Sequence, residues 1–160
     1  MLLRNLGGDT PKFVSTEYVS GADRIEDSRG IGVVDIDLDG DLDLVVQGLE
    51  KPTVLLVNEG PAGNWLEVRL TGTRCNRDAI GASIEARVGE RVFRREVSGS
   101  HALLTGKSLM SHFGLGDAEA IDELTVHWPG GGVTRMKDVE VNQMLRIVQA
   151  GEADAGGVGE

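Results

Sequence analysis

From Asn64 onward, apolar and polar residues alternate in short runs between glycine-rich turns. A period of two admits strands and little else. The run "NWLEVRL" places Leu66, Val68 and Leu70 on one face and Glu67 and Arg69 on the other. "ASIEARV" sets Ile84, Ala86 and Val88 against Glu85 and Arg87, and "DELTVHW" sets Leu124, Val126 and Trp128 against Thr125 and His127. "RVFRREV" follows the turn "GE", and "GVTRMKDV" and "QMLRIVQ" bring the run to about seven strands. No segment has a convincing helical period. Regularly spaced short strands of this kind predict an all-β, sandwich-like domain over residues 63–149. The 23 glycines and the 4% aromatic content suit short strands and tight turns. The last stretch, 150–160, has small and acidic residues without pattern and reads as a disordered tail.

The first 62 residues are organised differently. "LLRNLG" at Leu2 to Gly7 returns as "LLVNEG" at Leu55 to Gly60, matching at four of six positions with a spacing of 53 residues. Each copy reads as the end of a strand followed by an Asn-X-Gly turn. A period near fifty residues is the mark of β-propeller blades, small sheets that cannot bury their faces alone. Between the copies, "PKFVSTEYV", "IGVVDID", "LDLVVQG" and "TVLLVN" read as strands, a four-stranded meander in outline, and "SGADRIEDSRG" reads as polar loop. The chain is expected to open on the last strand of one blade and to carry one more, with further blades N-terminal to it.

The hairpin between the two copies carries "VVDIDLDGDLDLVV". Asp35, Asp37, Asp39, Asp41 and Asp43 occupy positions 1, 3, 5, 7 and 9 of a loop, with Gly40 at position 6. Carboxylates at 1, 3 and 5 can turn to one centre. Glycine at 6 permits the sharp bend that brings the carbonyl of position 7 to the same point, and an acid at 9 can close the shell. Oxygen-only ligands in a flexible loop select a hard divalent cation, Ca²⁺ ahead of Mg²⁺. The loop differs from an EF-hand, because Val46 stands at position 12 and the flanks are β-rich. A +2 ion also offsets the repulsion among the five carboxylates. Asp41 is expected to ligate through its backbone oxygen. The role is read as structural, since Asp side chains fill most of the shell and no base or nucleophile lies beside them.

Charge and composition exclude several classes. The net charge of −10 is concentrated in the aspartate loop and in Glu152, Asp154 and Glu160, so the remaining surface is nearly balanced. No stretch gathers Lys and Arg, and an acidic chain repels a phosphate backbone, so nucleic acid is not an expected partner. No apolar run approaches the length of a bilayer span, and "MLLRNLGG" is too short for a secretory signal. The single cysteine, Cys75, forms no intrachain disulfide and reads as a small loop residue.

"GIGVVDIDLDGDLDLVVQG" followed by "LLVN" resembles the FG-GAP or VCBS type of propeller repeat. That resemblance implies calcium held by the side chains of Asp35, Asp37, Asp39 and Asp43 and the main chain of Asp41. The second half, through "GNWLEVRLTGTRCNRDAIGA", "REVSGS", "HFGLGDAEAIDELTVHWPGG" and "VNQMLRIV", resembles the ASPIC/UnbV domain found C-terminal to such repeats in the cartilage acidic protein family. The family implies no general catalytic activity. It occurs in secreted, calcium-dependent proteins and also beside enediyne biosynthesis genes. "SGSHALLTGKS" lacks the Ser-Gln element of the family pattern, and "WPGGG" has glycine where serine is usual.

Other polar groups read as structural. "TGKS" has His101 where a phosphate-binding loop needs its first glycine, and it lacks a strand-to-helix turn. His101, His112 and His127 have no second ligand at metal spacing, and the last two read as outward-facing. "NRDAIG" reads as a turn tied by Asn76 and Asp78, with sugar or peptide binding as the alternative. Trp65 and Trp128 read as core, with an aromatic platform as the alternative. The sequence therefore predicts a calcium-binding, non-catalytic interaction or scaffold module of a secreted protein, with a protein or carbohydrate partner. The alternative is an enzyme or accessory factor of secondary metabolism of the enediyne type.

Overall fold

The computed structural model describes residues 2–7, 10–16, 20–22, 27–60, 63–102, 105–106 and 108–151, without the side chains of 100–107. The described residues form an all-β chain. Residues 152–160, most of the expected tail, lie outside them, as do 17–19 and 23–26 of the N-terminal half. Among the described residues no helix is long and apolar enough to cross a membrane.

The C-terminal half is built on two sheets. In the first, β6 (Asn64–Thr71) lies between β11 (Met110–Gly116) and β14 (Gln143–Val148). It pairs antiparallel with β11 and parallel with β14. The second sheet is antiparallel, in the order β13 (Val133–Glu140), β12 (Ala120–His127), β7 (Ser83–Val88), β8 (Arg91–Glu96). Alternate residues of both sheets meet in one core. Leu66, Val68 and Leu70 of β6 join Phe113 and Leu115 of β11, Ile84 and Ala86 of β7, Leu124 and Val126 of β12, and Ile147 of β14. This is the sandwich-like domain that the alternation required. Trp128 closes it, buried with its indole N–H donated to Thr134 Oγ1 at 2.9 Å.

Two details depart from the sequence reading. The sequence reading puts His112 on a β-segment but gives β11 no bounds, because Gly114 and Gly116 interrupt the apolar alternation of Phe113 and Leu115. Glu67, expected on the solvent face of β6, is only 8% exposed. Something covers the outer face of that sheet.

The N-terminal half supplies the cover. β3 (Ser28–Val34), β4 (Asp43–Gly48) and β5 (Val54–Leu56) form an antiparallel sheet in that order, and β1 (Leu3–Asn5) pairs with β2 (Phe13–Ser15). β3 starts at Ser28, three residues earlier than the glycine-flanked loop suggested, and reaches Ile31 through a register shift between Ser28 and Gly30. Both copies of the internal echo make the same local bond. The Gly7 N–H donates to Asn5 Oδ1 at 3.0 Å, and the Gly60 N–H donates to Asn58 Oδ1 at 3.3 Å. The remaining short strands, β9 (Ser100–Ala102) and β10 (Thr105–Gly106), pair as a ribbon that includes the first half of "TGKS"; Lys107 lies outside the described residues.

Candidate metal centre

The β3–β4 hairpin pairs Val34 with Asp43, so residues 35–42 form its tip. Two residues there have left-handed backbone, Leu38 (φ 63°) and Gly40 (φ 97°). These bends fold the tip back on itself. One carboxylate oxygen each from Asp35, Asp37 and Asp39 then lie within 4.8 Å of one another. Asp37 and Asp39 are exposed, whereas Asp35 is 7% exposed.

Hydrogen bonds fix the cluster from within. The Gly40 N–H donates to Asp35 Oδ2 at 2.9 Å, and the Asp41 N–H donates to Asp39 Oδ1 at 3.0 Å. Asp35 Oδ1 and Asp41 Oδ1 are buried and have no hydrogen-bond donor. A buried carboxylate oxygen without a donor costs about 1–3 kcal/mol or more. Burial, and then the charges of Asp39, Asp43, Asp37 and Asp35, push the Asp41 carboxyl above the usual carboxylate range. A hard divalent cation at the cluster relieves both effects, because it supplies positive charge and accepts oxygen donors. On the donor set and the orphaned Asp35 Oδ1, the residues present fit such an ion.

Asp43 is placed differently from Asp35, Asp37 and Asp39. It is fully buried, and its two oxygens accept the N–H of Ile36 at 2.9 Å and the N–H of Asn58 at 2.8 Å. It thereby ties the start of the loop to the Asn-X-Gly turn after β5. The carboxylate acts as an internal strut, whatever it adds to a metal shell.

The loop also touches residues that the sequence gave no reason to connect with it. Gly40 is pressed against the Trp65 indole; a Cβ at Gly40 would lie 1.9 Å from Cδ1 and Nε1 of that ring. His112, on β11, has Nε2 at 2.9 Å from the Gly40 carbonyl oxygen. A carbonyl only accepts, so Nε2 carries the proton. The Trp65 and His112 rings stack, with centroids 6.5 Å apart and planes at 12°. His112 pairs across the sheet with Glu67. Burial raises the Glu67 carboxyl above its ordinary range, His112 opposes the shift and Asp35 adds to it. His112 is therefore turned inward between two parts of the chain, against the outward placement expected of it. No local pattern flags a contact between residues 72 positions apart; alternation alone assigned His112 to the open face.

The other candidates resolve as structure. Asn76 exchanges two hydrogen bonds with the backbone of Ile80, at 2.8 and 2.9 Å, and Asp78 pairs with Arg69 at 2.9 Å. Trp128 lies in the core as read, whereas Trp65, on β6, stands outside it and packs against Gly40 of the loop. His127 is exposed, and the side chain of His101 lies outside the described residues.

The family described as ASPIC and UnbV matches residues 72–154. Cartilage acidic protein 1 of Mus musculus is 31% identical over 148 residues, covering 86% of this chain and 23% of that protein. Its counterpart from Xenopus tropicalis is 34% identical over 137 residues, covering 80% and 21%. That from Homo sapiens is 31% identical over 148 residues, covering 86% and 22%. The chain thus spans between a fifth and a quarter of the length of these relatives.

Proposed function

The chain belongs to the ASPIC and UnbV family, and from that premise we propose that it is a calcium-binding, non-catalytic interaction module of a secreted protein. In this reading Ca²⁺ staples the tip of the β3–β4 hairpin and so fixes the shape of a surface offered to a protein or carbohydrate partner. The observation that carries it is the buried Asp35 Oδ1, without a donor, inside a cluster of three carboxylates. An acidic turn that bound nothing would leave its carboxylates to water.

Asp35, Asp37 and Asp39 would hold the ion through side-chain oxygens, and Asp41 through its main chain. Asp43, with an amide on each oxygen, would brace the loop and contribute to the shell with its remaining lone pairs. When bound, the ion supplies charge neutralisation and a fixed loop geometry. The crowding of acid side chains around it argues for this structural role over water activation.

A blade-like, FG-GAP or VCBS type of first unit is supported by the repeated Asn-X-Gly turn and the small antiparallel sheet between its two copies. Export is supported by the kinship with proteins named for cartilage and by the abundance of Ca²⁺ outside cells, where loops of modest affinity fill.

The test is a thermal melt of the chain in a few millimolar Ca²⁺ against excess chelator. An ion that binds only the native state raises Tm, and saturation at about 100 Kd is worth about 2.7 kcal/mol. The rise is expected to vanish in the Asp37→Ala/Asp39→Ala double variant. Equal melting temperatures for the wild type in both buffers would refute the reading.

A further inference from the structure

We infer that the cation loop is positioned from the neighbouring β-domain: Trp65 and His112 hold Gly40, and Gly40 aims the carboxylates of Asp35 and Asp39. The inference rests on the proposed cation reading and adds to it a pair of positioning residues on β6 and β11.

Gly40 is the hub of the loop. Its own N–H donates to Asp35 Oδ2, and the next peptide, which contains the Gly40 carbonyl, donates the Asp41 N–H to Asp39 Oδ1. Two of the three clustered carboxylates are thus oriented by the two peptide planes that flank one residue. Those planes are fixed from outside the loop. His112 Nε2 donates to the Gly40 carbonyl, which sets the plane of the peptide that faces Asp39. The Trp65 ring occupies the space beside the Gly40 Cα, so the residue cannot rotate or carry a side chain there. His112 is itself held by stacking on Trp65 and by its place on β11, whose neighbours Ser111 and Phe113 are buried.

Carboxylates that converge before the ion arrives lose less freedom on binding, which is the general route by which preorganisation raises affinity. By linkage, the coupling is reciprocal: an ion that sharpens the loop must strengthen its contact with β6 and β11 by the same factor. The cation then becomes a latch between the N-terminal sheet and the family domain.

The experiment is calorimetric titration of the whole chain with CaCl₂, together with Trp65 emission, assigned by comparison with a Trp65→Phe variant. His112→Ala removes the donor, and His112→Gln restores an N–H at similar reach. The wild type is expected to bind Ca²⁺ with a change in Trp65 emission. His112→Ala should bind about fivefold more weakly, as the loss of one hydrogen bond implies, and His112→Gln should recover most of that loss. Circular dichroism identifies any variant that fails to fold, and the emission change in the wild type stands independently of the variants. Equal affinities in all three chains with no change in Trp65 emission would overturn the inference and leave the calcium reading intact. His112→Gln as weak as His112→Ala would overturn the donor role. Absence of binding to the wild type would refute the calcium reading itself, and the positioning role with it.

Discussion

Glu67 is a carboxylate in a place that alternation assigned to solvent and the aspartate loop has covered. Burial holds its carboxyl above the ordinary range, opposed by His112 and reinforced by Asp35. The raised value means that the folded chain keeps a proton which the unfolded chain has released. Stability therefore falls as pH rises from the unfolded value of 4.5 through the higher folded value, and the penalty is fully present above that window. Glu67→Gln removes the ionisation and keeps the shape. In excess chelator it is expected to raise Tm by a few degrees at pH 7, with the advantage disappearing below pH 4.5. A variant that melts with the wild type at both pH values would mean that Glu67 is charged at no cost. Asp43 belongs to the same scale and has the opposite character, since an amide donates to each of its oxygens and burial is compensated. Two buried carboxylates, one on β6 and one on β4, thus sit in different surroundings.

Among the elements, the join between β13 and β14 decides how the first sheet closes. Asn142 stands there with φ 58°, a left-handed conformation that asparagine tolerates better than most residues. Its backbone N–H donates to the Trp65 carbonyl, its Oδ1 accepts the Trp65 N–H at 3.1 Å, and its Nδ2 donates to Asn64 Oδ1 at 2.8 Å. One residue thereby extends the parallel β6–β14 ladder ahead of its first pair, Gln143 with Leu66. Asn142→Gly keeps the backbone and loses two hydrogen bonds, at a cost of about 1–2 kcal/mol. Asn142→Ala loses the same bonds and adds about 1 kcal/mol of left-handed strain. Urea midpoints should fall in the order wild type, Gly, Ala, and Gly melting with Ala would exclude the strain. This join also marks where reading the sequence stops. β6, β7, β8, β12, β13 and β14 were legible because their apolar residues alternate, and the aspartate loop was legible because its spacing is local. The parallel pairing of β6 with β14 was not, since residues 77 positions apart leave no periodic trace of their register. β11 was hidden by its glycines, and the docking of Gly40 on Trp65 and His112 joins two segments that share no pattern. Local chemistry wrote the loop; tertiary packing supplied its neighbours.

At the scale of the whole molecule, apolar burial is divided unevenly. Among the described residues, every buried apolar side chain of the core lies at Leu66 or beyond. Of the seventeen large apolar side chains left exposed among the described residues, twelve precede residue 58, including Phe13, Ile31, Val33, Ile36 and Leu55. The N-terminal half is held instead by its strand ladders, by the two buried aspartates 35 and 43, and by the contact of Gly40 with Trp65 and His112. Exposed apolar faces on a small sheet are what a propeller blade presents to adjacent blades. Their exposure supports the blade-like reading proposed for the first unit. For this chain it has a direct consequence. Segments with few buried apolar contacts open at lower free energy than core strands, so amides of β3–β5 should exchange with deuterium faster than those of β6, β7 and β12 in excess chelator. Calcium should then slow the N–H groups of Ile36, Gly40, Asp41 and Asn58, all of which donate to loop carboxylates. The amides of β12, whose Ile121, Leu124 and Val126 lie in the core, should keep their rates unless calcium stabilises both halves together. Slowing confined to the loop would describe a hinge made rigid in place, whereas equal slowing of the loop and β12 would describe a latch that joins the halves into one cooperative unit. Protection in β3–β5 as high as in β12 before calcium is added would refute the argument from burial, since strand pairing alone would then suffice to hold the first sheet.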